Sequence, residues 1–162
     1  MVKAVEVFLY GGCMANCNCM KDRHYKSSTQ FYNTTSQAIG STMAPLTLLG
    51  TEVTDTGVSV DAASNAVEIQ HSGLYRITGT VGMNVTTAGN VTIQIYADGA
   101  PLSETARIIT ASAGYHLVSV DTIRQFRTFC GQNPASVQIM IMGDGTAVGN
   151  VTFVSGNVLK EA

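Results

Sequence analysis

Apolar and polar residues alternate one by one in several short runs of this sequence. A period of two is the spacing of side chains on a β-strand, where successive residues point to opposite faces. No stretch of ten or more residues keeps the 3.6-residue period of a helix, and segment 103–111 is predicted to form about one helical turn at most. The alternating runs cover residues 67–70, 75–81, 91–96, 137–142 and 151–153.

Turn residues separate these runs. Asp98 and Gly99 follow one run directly, and Asp144 and Gly145 follow another. Because glycine adopts a positive φ at little cost, an Asp-Gly pair after a strand indicates a tight turn. Many short strands at spacings of about 8–12 residues are typical of a β-sandwich or a jelly roll. The sequence therefore predicts an all-β fold.

The composition narrows the class of protein. The chain has 162 residues with 45% hydrophobic content, which is ample for a core and excludes a disordered chain. Charged residues make up only 12%, whereas soluble domains usually have about 25%. The net charge of −2 argues against nucleic-acid binding through phosphate neutralisation. A protein surface with so few charged side chains is typical of an extracellular protein, a virion protein or a protein buried in an assembly.

Neither a membrane span nor an export signal is predicted. The longest apolar stretches, 7–10 and 139–142, are far shorter than the roughly 20 residues that a spanning helix requires. Near the N-terminus Glu6 interrupts the apolar run, and Tyr10 occupies a position where a lipoprotein cleavage box has a small residue. We therefore expect no membrane insertion.

The amino-acid composition and the hydrophobic pattern of the sequence change near residue 28. The first part contains three of the four cysteines and the basic residues Lys21, Arg23 and Lys26, whereas strand alternation dominates afterwards. We predict an N-terminal anchoring arm over 1–28 and a head over 29–162. The alternating start of the arm has no local partner strand, and an unpaired strand recruits a partner from a sister chain or from the structure that carries it.

The arm also contains candidate metal ligands. Cysteine and histidine bind zinc, and four such residues can complete a tetrahedral site. The C-x₃-C-x-C spacing differs from the usual C-x₂-C, so disulfide bonds within the arm or to Cys130, or free packed thiols, stay open as alternatives. No cofactor and no catalytic residue are predicted, since His71 and His116 stand outside any catalytic motif. The zinc candidates are Cys13, Cys17, Cys19 and His24.

Three segments resemble a known family. Residues 71–78, with the sequence HSGLYRIT, look like the "GlYrIt" strand of jelly-roll heads typified by tumour necrosis factor (TNF) and complement q. Residues 91–99 are similar to the hairpin that follows it, and 149–159 to the last strand. The likeness is greatest to the bacterial and phage branch, with its virion and spore-surface heads. It implies an antiparallel TNF-like jelly-roll sandwich over the head and three such heads around one axis.

One run is apolar on both faces. Met140 and Met142 alternate with Val137, Ile139 and Ile141, and such a strand is normally covered on both sides. We expect core on one side and a subunit contact on the other. The residues predicted to form the core and the trimer contact are Tyr75, Ile77, Ile93, Ile95, Ile139, Met140, Met142 and Phe153, with Val91 also expected in the core.

A function can be predicted from the low charge of the chain, its N-terminal arm and its resemblance to the TNF and complement q heads. We expect a non-enzymatic structural protein of a phage particle, such as a head decoration, fibre or tail-associated protein. It would be a homotrimer, assembled in the host cytoplasm, displayed on the virion and anchored to a capsid or other virion protein through 1–28. The alternatives are a head that binds a host receptor or a host-surface glycan as an adhesin, and a structural head on a bacterial spore or cell surface.

Overall fold

The computed structural model describes residues 27–50, 57–128 and 133–161. In the described part of the chain thirteen strands are present, and the only helical element is a 3₁₀ turn at Ser103–Thr105. In chain order the strands are β1 (Ser28–Asn33), β2 (Gln37–Ala38), β3 (Ala44–Pro45), β4 (Leu49–Gly50), β5 (Val58–Asp61), β6 (Ala66–Ile69), β7 (Gly73–Thr87), β8 (Gly89–Ala97), β9 (Ala100–Pro101), β10 (Arg107–Ala111), β11 (Gly114–Phe126), β12 (Ala135–Gly143) and β13 (Val148–Lys160).

The strands form two antiparallel sheets. Sheet A has the spatial order β11-β7-β13-β1-β4, with β2 beside β13. Sheet B has the order β10-β8-β12-β6-β5, with β3 beside β12 and β9 beside β8. The first strand pairs with the last along its whole length, from Ser28 opposite Leu159 to Asn33 opposite Val154. The prediction of an all-β antiparallel sandwich is confirmed.

The core lies between the inward faces of the two sheets. On β8 and β12 the predicted residues Val91, Ile93, Ile95 and Ile139 are buried, in the phase that the alternation indicates. Burying an aliphatic side chain of this size contributes about 1.5–3 kcal/mol, so these two strands supply a large share of the stability.

Tyr75 anchors the start of β7 in this core. Its ring packs edge-on against Phe126, with 5.9 Å between the ring centroids. Its hydroxyl donates to the backbone oxygen of His71 at 2.9 Å. Burial raises the pKa of Tyr75 to about 12, because the charged phenolate is disfavoured away from water. Ile77, two residues on, is also fully buried.

The turns follow the expected chemistry. At the end of β8, Asp98 and Gly99 both have positive φ, 51° and 76°, as a tight hairpin requires. At the end of β12, the side chain of Asp144 accepts hydrogen bonds from the backbone N–H groups of Asn90, Thr146 and Ala147. These bonds connect the β12–β13 turn to the start of β8.

A β-bulge changes the predicted phase of β13. Sequence alternation placed Phe153 in the core together with Val151. The pairing with β7 shifts register between these two residues, so Val151 and Val154 are buried and Phe153 lies half-buried on the opposite face. The extra residue of a bulge redirects the side chains that follow it.

The first described strand, β1, begins at Ser28, and the division of the chain into an arm over 1–28 and a head over 29–162 stays a prediction. The arm, including Cys13, Cys17, Cys19 and His24, lies outside the described residues, and so does Cys130. Its anchoring role and its zinc or disulfide chemistry therefore stay predictions.

Candidate interface on the outward face of sheet A

On each strand of sheet A, buried residues alternate with residues that point away from the core. The second set forms the outward face of the sheet. On β7, Ile77 and Val81 point into the core, so Thr78, Thr80 and Gly82 point outward. Strand pairing aligns these residues with outward residues of the neighbouring strands. Leu117, Gly82 and Phe153 form one row across β11, β7 and β13. The next row consists of Ser119, Thr80, Ser155, Tyr32 and Leu49.

Large apolar side chains remain exposed on this face. On β11, Tyr115 and Leu117 keep 59% and 60% of their surface exposed, and Tyr32 and Leu49 keep 45% and 43% at the other margin. Phe153 lies between them on β13. We call these five residues the apolar band. Exposed apolar side chains that are grouped on one sheet face are typical of an interaction site.

Gly82 provides the space in which the rings of the band lie. A Cβ atom added at Gly82 would be 2.3 Å from a ring carbon of Phe153 and 2.4 Å from the hydroxyl of Tyr115. Both distances are far shorter than van der Waals contact. The absence of a side chain therefore lets two aromatic residues, one from each neighbouring strand, approach the backbone of β7 closely.

Neutral polar groups surround the band and hydrogen-bond to one another. Thr78 donates to the side-chain oxygen of Asn157 at 2.8 Å, and the hydroxyls of Thr80 and Ser119 are 3.2 Å apart. Ionisable side chains occur toward one end of the face, where Arg76 donates to Glu161 at 2.7 Å and Asp121 follows on β11. A neutral face of this type can be buried without the desolvation cost of unpaired charges.

The outward face of sheet B is less apolar. Met140 and Met142 lie there and are half-buried, between Gln94 and Thr92 of β8 and the short strand β3. Ile108 on the edge strand β10 is the exposed aliphatic residue of this sheet. The trimer contact expected at the two methionines stays a prediction, whereas Tyr75, Ile77, Ile93, Ile95 and Ile139 are enclosed in the core of the head itself.

The alternating runs did not indicate Tyr32, Leu49, Tyr115 or Leu117 as interface residues. A usable signal was present at 115–118, where Tyr, Leu and Val occupy both phases of the alternation, as they do in 137–142. For Tyr32 and Leu49 no comparable local signal exists, because their exposure depends on pairing with β13 at the far end of the chain.

The two carboxylates with lowered pKa values, those of Asp61 and Asp144, accept hydrogen bonds that hold turns in place. Asp144 has a pKa below its ordinary value, first because the Thr146 hydroxyl donates to it and then because of the backbone N–H groups named above. The pKa of Asp61 is lowered chiefly by the Ser64 hydroxyl, within its own turn. Across 27–50, 57–128 and 133–161, no group of three His, Cys, Asp or Glu residues is arranged to hold a metal ion.

None of the helical structure in the described segments is long and apolar enough to cross a membrane.

Solved structures with the same architecture define the fold as a TNF-like jelly roll. The PRD1 vertex protein P5 is 16% identical over 83% of this chain and 72% of its own, with a TM-score of 0.55. Eiger TNF from S. frugiperda is 10% identical over 85% of this chain and 93% of its own, with a TM-score of 0.58. Murine APRIL (structure at pH 8.5) is 13% identical over 84% of this chain and 99% of its own, with a TM-score of 0.56.

At these identities the likeness establishes the fold, and the resemblance seen in the sequence is confirmed at that level. The neighbours thus include a vertex protein and a TNF. No protein-family model matches the chain, and no curated protein sequence matches it.

Proposed function

We propose that this chain is a non-enzymatic structural protein of a phage particle, a homotrimeric jelly-roll head displayed on the virion. The observation that carries the proposal is the apolar band on a sheet face that residues 27–50, 57–128 and 133–161 leave exposed. The fold likeness to the PRD1 vertex protein supports the virion setting, and the low charge of the chain is consistent with a surface shared between subunits.

The hydrogen bonds made by the polar side chains support a non-enzymatic role. Asp61 and Asp144 serve turns, and the outward hydroxyls and amides of sheet A bond to one another rather than converging on a cleft. A catalytic site usually gathers titratable groups in a concave pocket, with perturbed pKa values matched to the reaction.

The anchoring part of the proposal concerns the arm predicted over 1–28, of which residues 1–26 precede the described part of the chain. The backbone oxygen of Ser27 accepts the N–H of Lys160 at 2.7 Å, so the first and the last described residues of the head lie at the same end of sheet A. An arm leaving from that end can reach a capsid or other virion protein while the rest of the head projects outward.

The test is removal of residues 1–26, which leaves β1 intact. We expect the shortened chain to stay folded and trimeric but to lose co-sedimentation with the particle from which the full chain co-purifies. The full chain, mixed with stripped particles under the same conditions, is the control. Retention of the shortened chain on particles would refute the anchoring role. Capture of the free head by a glycan array, with no particle attachment of either chain, would favour the adhesin alternative.

A further inference from the structure

The outward face of sheet B has an apolar part on the strands β10, β12 and β3. Strand pairing aligns Ile108 with Thr92 and Met142 in one row, and Met140 with Pro45 in the next. Ile108 keeps 70% of its surface exposed, and the two methionines are half-buried. We call Ile108, Pro45, Met140 and Met142 the methionine patch. Methionine side chains are flexible and polarisable, so this patch can accommodate an apolar segment without a preformed pocket.

The same face becomes acidic toward the other end of the sheet. Asp61 and Glu68 lie on the paired strands β5 and β6, and the carboxylate of Asp98 accepts the backbone N–H of Ser136 on β12 at 2.8 Å. We call Asp61, Glu68 and Asp98 the acidic patch. Within the described segments, the outward rows of sheet B contain no Lys or Arg. Arg107 on β10 is aligned with an inward residue, and its side chain lies 3.9 Å from a carboxylate of β11. The face therefore favours a partner that is apolar at one end and basic at the other.

The segment that precedes the described residues has this composition. In 1–26 there are four Lys or Arg and two Asp or Glu, a balance of +2. Because the whole chain has a net charge of −2, residues 27–162 have a net charge of −4. Three of the four bases lie at 21–26, and the apolar run VEVFLY lies at 5–10. Counted backward from residue 27, the basic part comes first and the apolar part second.

The described chain begins at the acidic end of sheet B. The backbone oxygen of Ser27 accepts the N–H of Lys160, which is aligned with Tyr75 near the start of β7. Glu68 lies at the same end, because only three residues separate β6 from β7. Strand β1 also contacts β5 across the side of the sandwich. The six residues from Ser27 back to Lys21 can span roughly 20 Å, whereas packed sheets are about 10 Å apart. Lys21 can therefore reach the acidic patch of its own head.

We propose that residues 1–26 dock on the outward face of sheet B of the same chain, with the bases at 21–23 against the acidic patch and the run 5–10 on the methionine patch. The order of the two parts along the segment matches the order of the two patches from Ser27. Exposed ion pairs contribute little by themselves, so both patches are needed to hold the segment. The inference goes beyond the proposed function, because it concerns the free protein. A virion protein that binds the arm would have to displace it from sheet B.

The first experiment measures how fast trypsin releases the fragment 1–23 from the full chain, followed by mass spectrometry. The double variant Glu68→Gln with Asp98→Asn removes two charges of the acidic patch and keeps the side-chain shapes. We expect release at least fivefold faster than from the parent. Asp121→Asn with Glu161→Gln changes the net charge equally on sheet A, and this matched control should behave like the parent. Equal release rates in the parent and the acidic-patch variant, or the same acceleration in the control, would overturn the inference.

The second experiment tests the methionine patch by hydrogen–deuterium exchange of the amides at 2–10 in the full chain. Ile108→Ser alters an exposed side chain, so the core is unaffected, and exchange at 2–10 should become at least fivefold faster. Ile123→Ser, at an exposed isoleucine of β11 in sheet A, is the control and should leave that exchange unchanged.

Unchanged exchange in Ile108→Ser would remove the methionine patch from the docking surface. Both experiments use the free protein, so co-sedimentation of the shortened chain with particles decides the proposed anchoring role separately.

Discussion

At the scale of single residues, Ile93 tests the placement of the core. It is fully buried on β8, opposite Ile141 of β12 and Arg107 of β10 in the strand register. Ile93→Asp would bury a charge without a partner, so we expect a loss of about 4 kcal/mol or more of unfolding free energy. Urea denaturation measures this loss. Thr92→Asp, on the outward side of the same strand, should cost far less, and equal costs at the two positions would mean that the strand faces are misassigned.

Asp144 makes the stability of the head sensitive to acid. Its carboxylate accepts hydrogen bonds from the Thr146 hydroxyl and from three backbone N–H groups, and these hold its pKa below the ordinary 3.8. A carboxyl group with a lowered folded-state pKa stabilises the fold above its unfolded pKa, and the effect is lost as the pH falls below that value.

We therefore expect Asp144→Asn to melt at a lower temperature than the parent at pH 7. The difference should narrow progressively as the pH falls below about 3.8, toward the depressed folded-state pKa. Melting curves of both proteins between pH 7 and pH 2 measure it. A difference that stays constant down to pH 2 would show that the carboxylate charge has no part in holding the β12–β13 turn.

At the scale of elements, the strands with one buried face were predictable from alternation. The five alternating runs fall on β6, β7, β8, β12 and β13. Segment 103–111 contains the expected single turn, Ser103–Thr105, followed by the strand β10. The two-residue strands could not be predicted, because pairs such as Ala44–Pro45 are strands only through their pairing with β12.

The candidate interface was harder to predict than the core, for a physical reason. Burial in the core follows local alternation, but the composition of an outward face depends on which distant strands become neighbours. Tyr32 and Phe153 are 121 positions apart and share one face only because β1 pairs with β13. The bulge between Val151 and Phe153 adds a change of phase that alternation does not encode.

At the scale of the whole molecule, the distribution of charge decides how assembly should respond to salt. The chain has only 12% charged residues, and the apolar band contains none of them. Contacts between charges weaken as salt screens them, with a Debye length of about 3 Å at 1 M, whereas burial of apolar surface does not weaken in this way. A trimer built on the band should therefore tolerate high salt.

We expect light scattering after size exclusion to give three times the 17.1 kDa of one chain, both at low salt and in 1 M sodium chloride. Sodium sulfate should stabilise the trimer further, because excluded salts strengthen apolar burial. A monomer at micromolar concentration would contradict the homotrimer outright. A trimer that dissociates between 0.1 M and 1 M sodium chloride would instead place the contact on charged surface, such as the end of sheet A where Arg76 pairs with Glu161, and away from the apolar band.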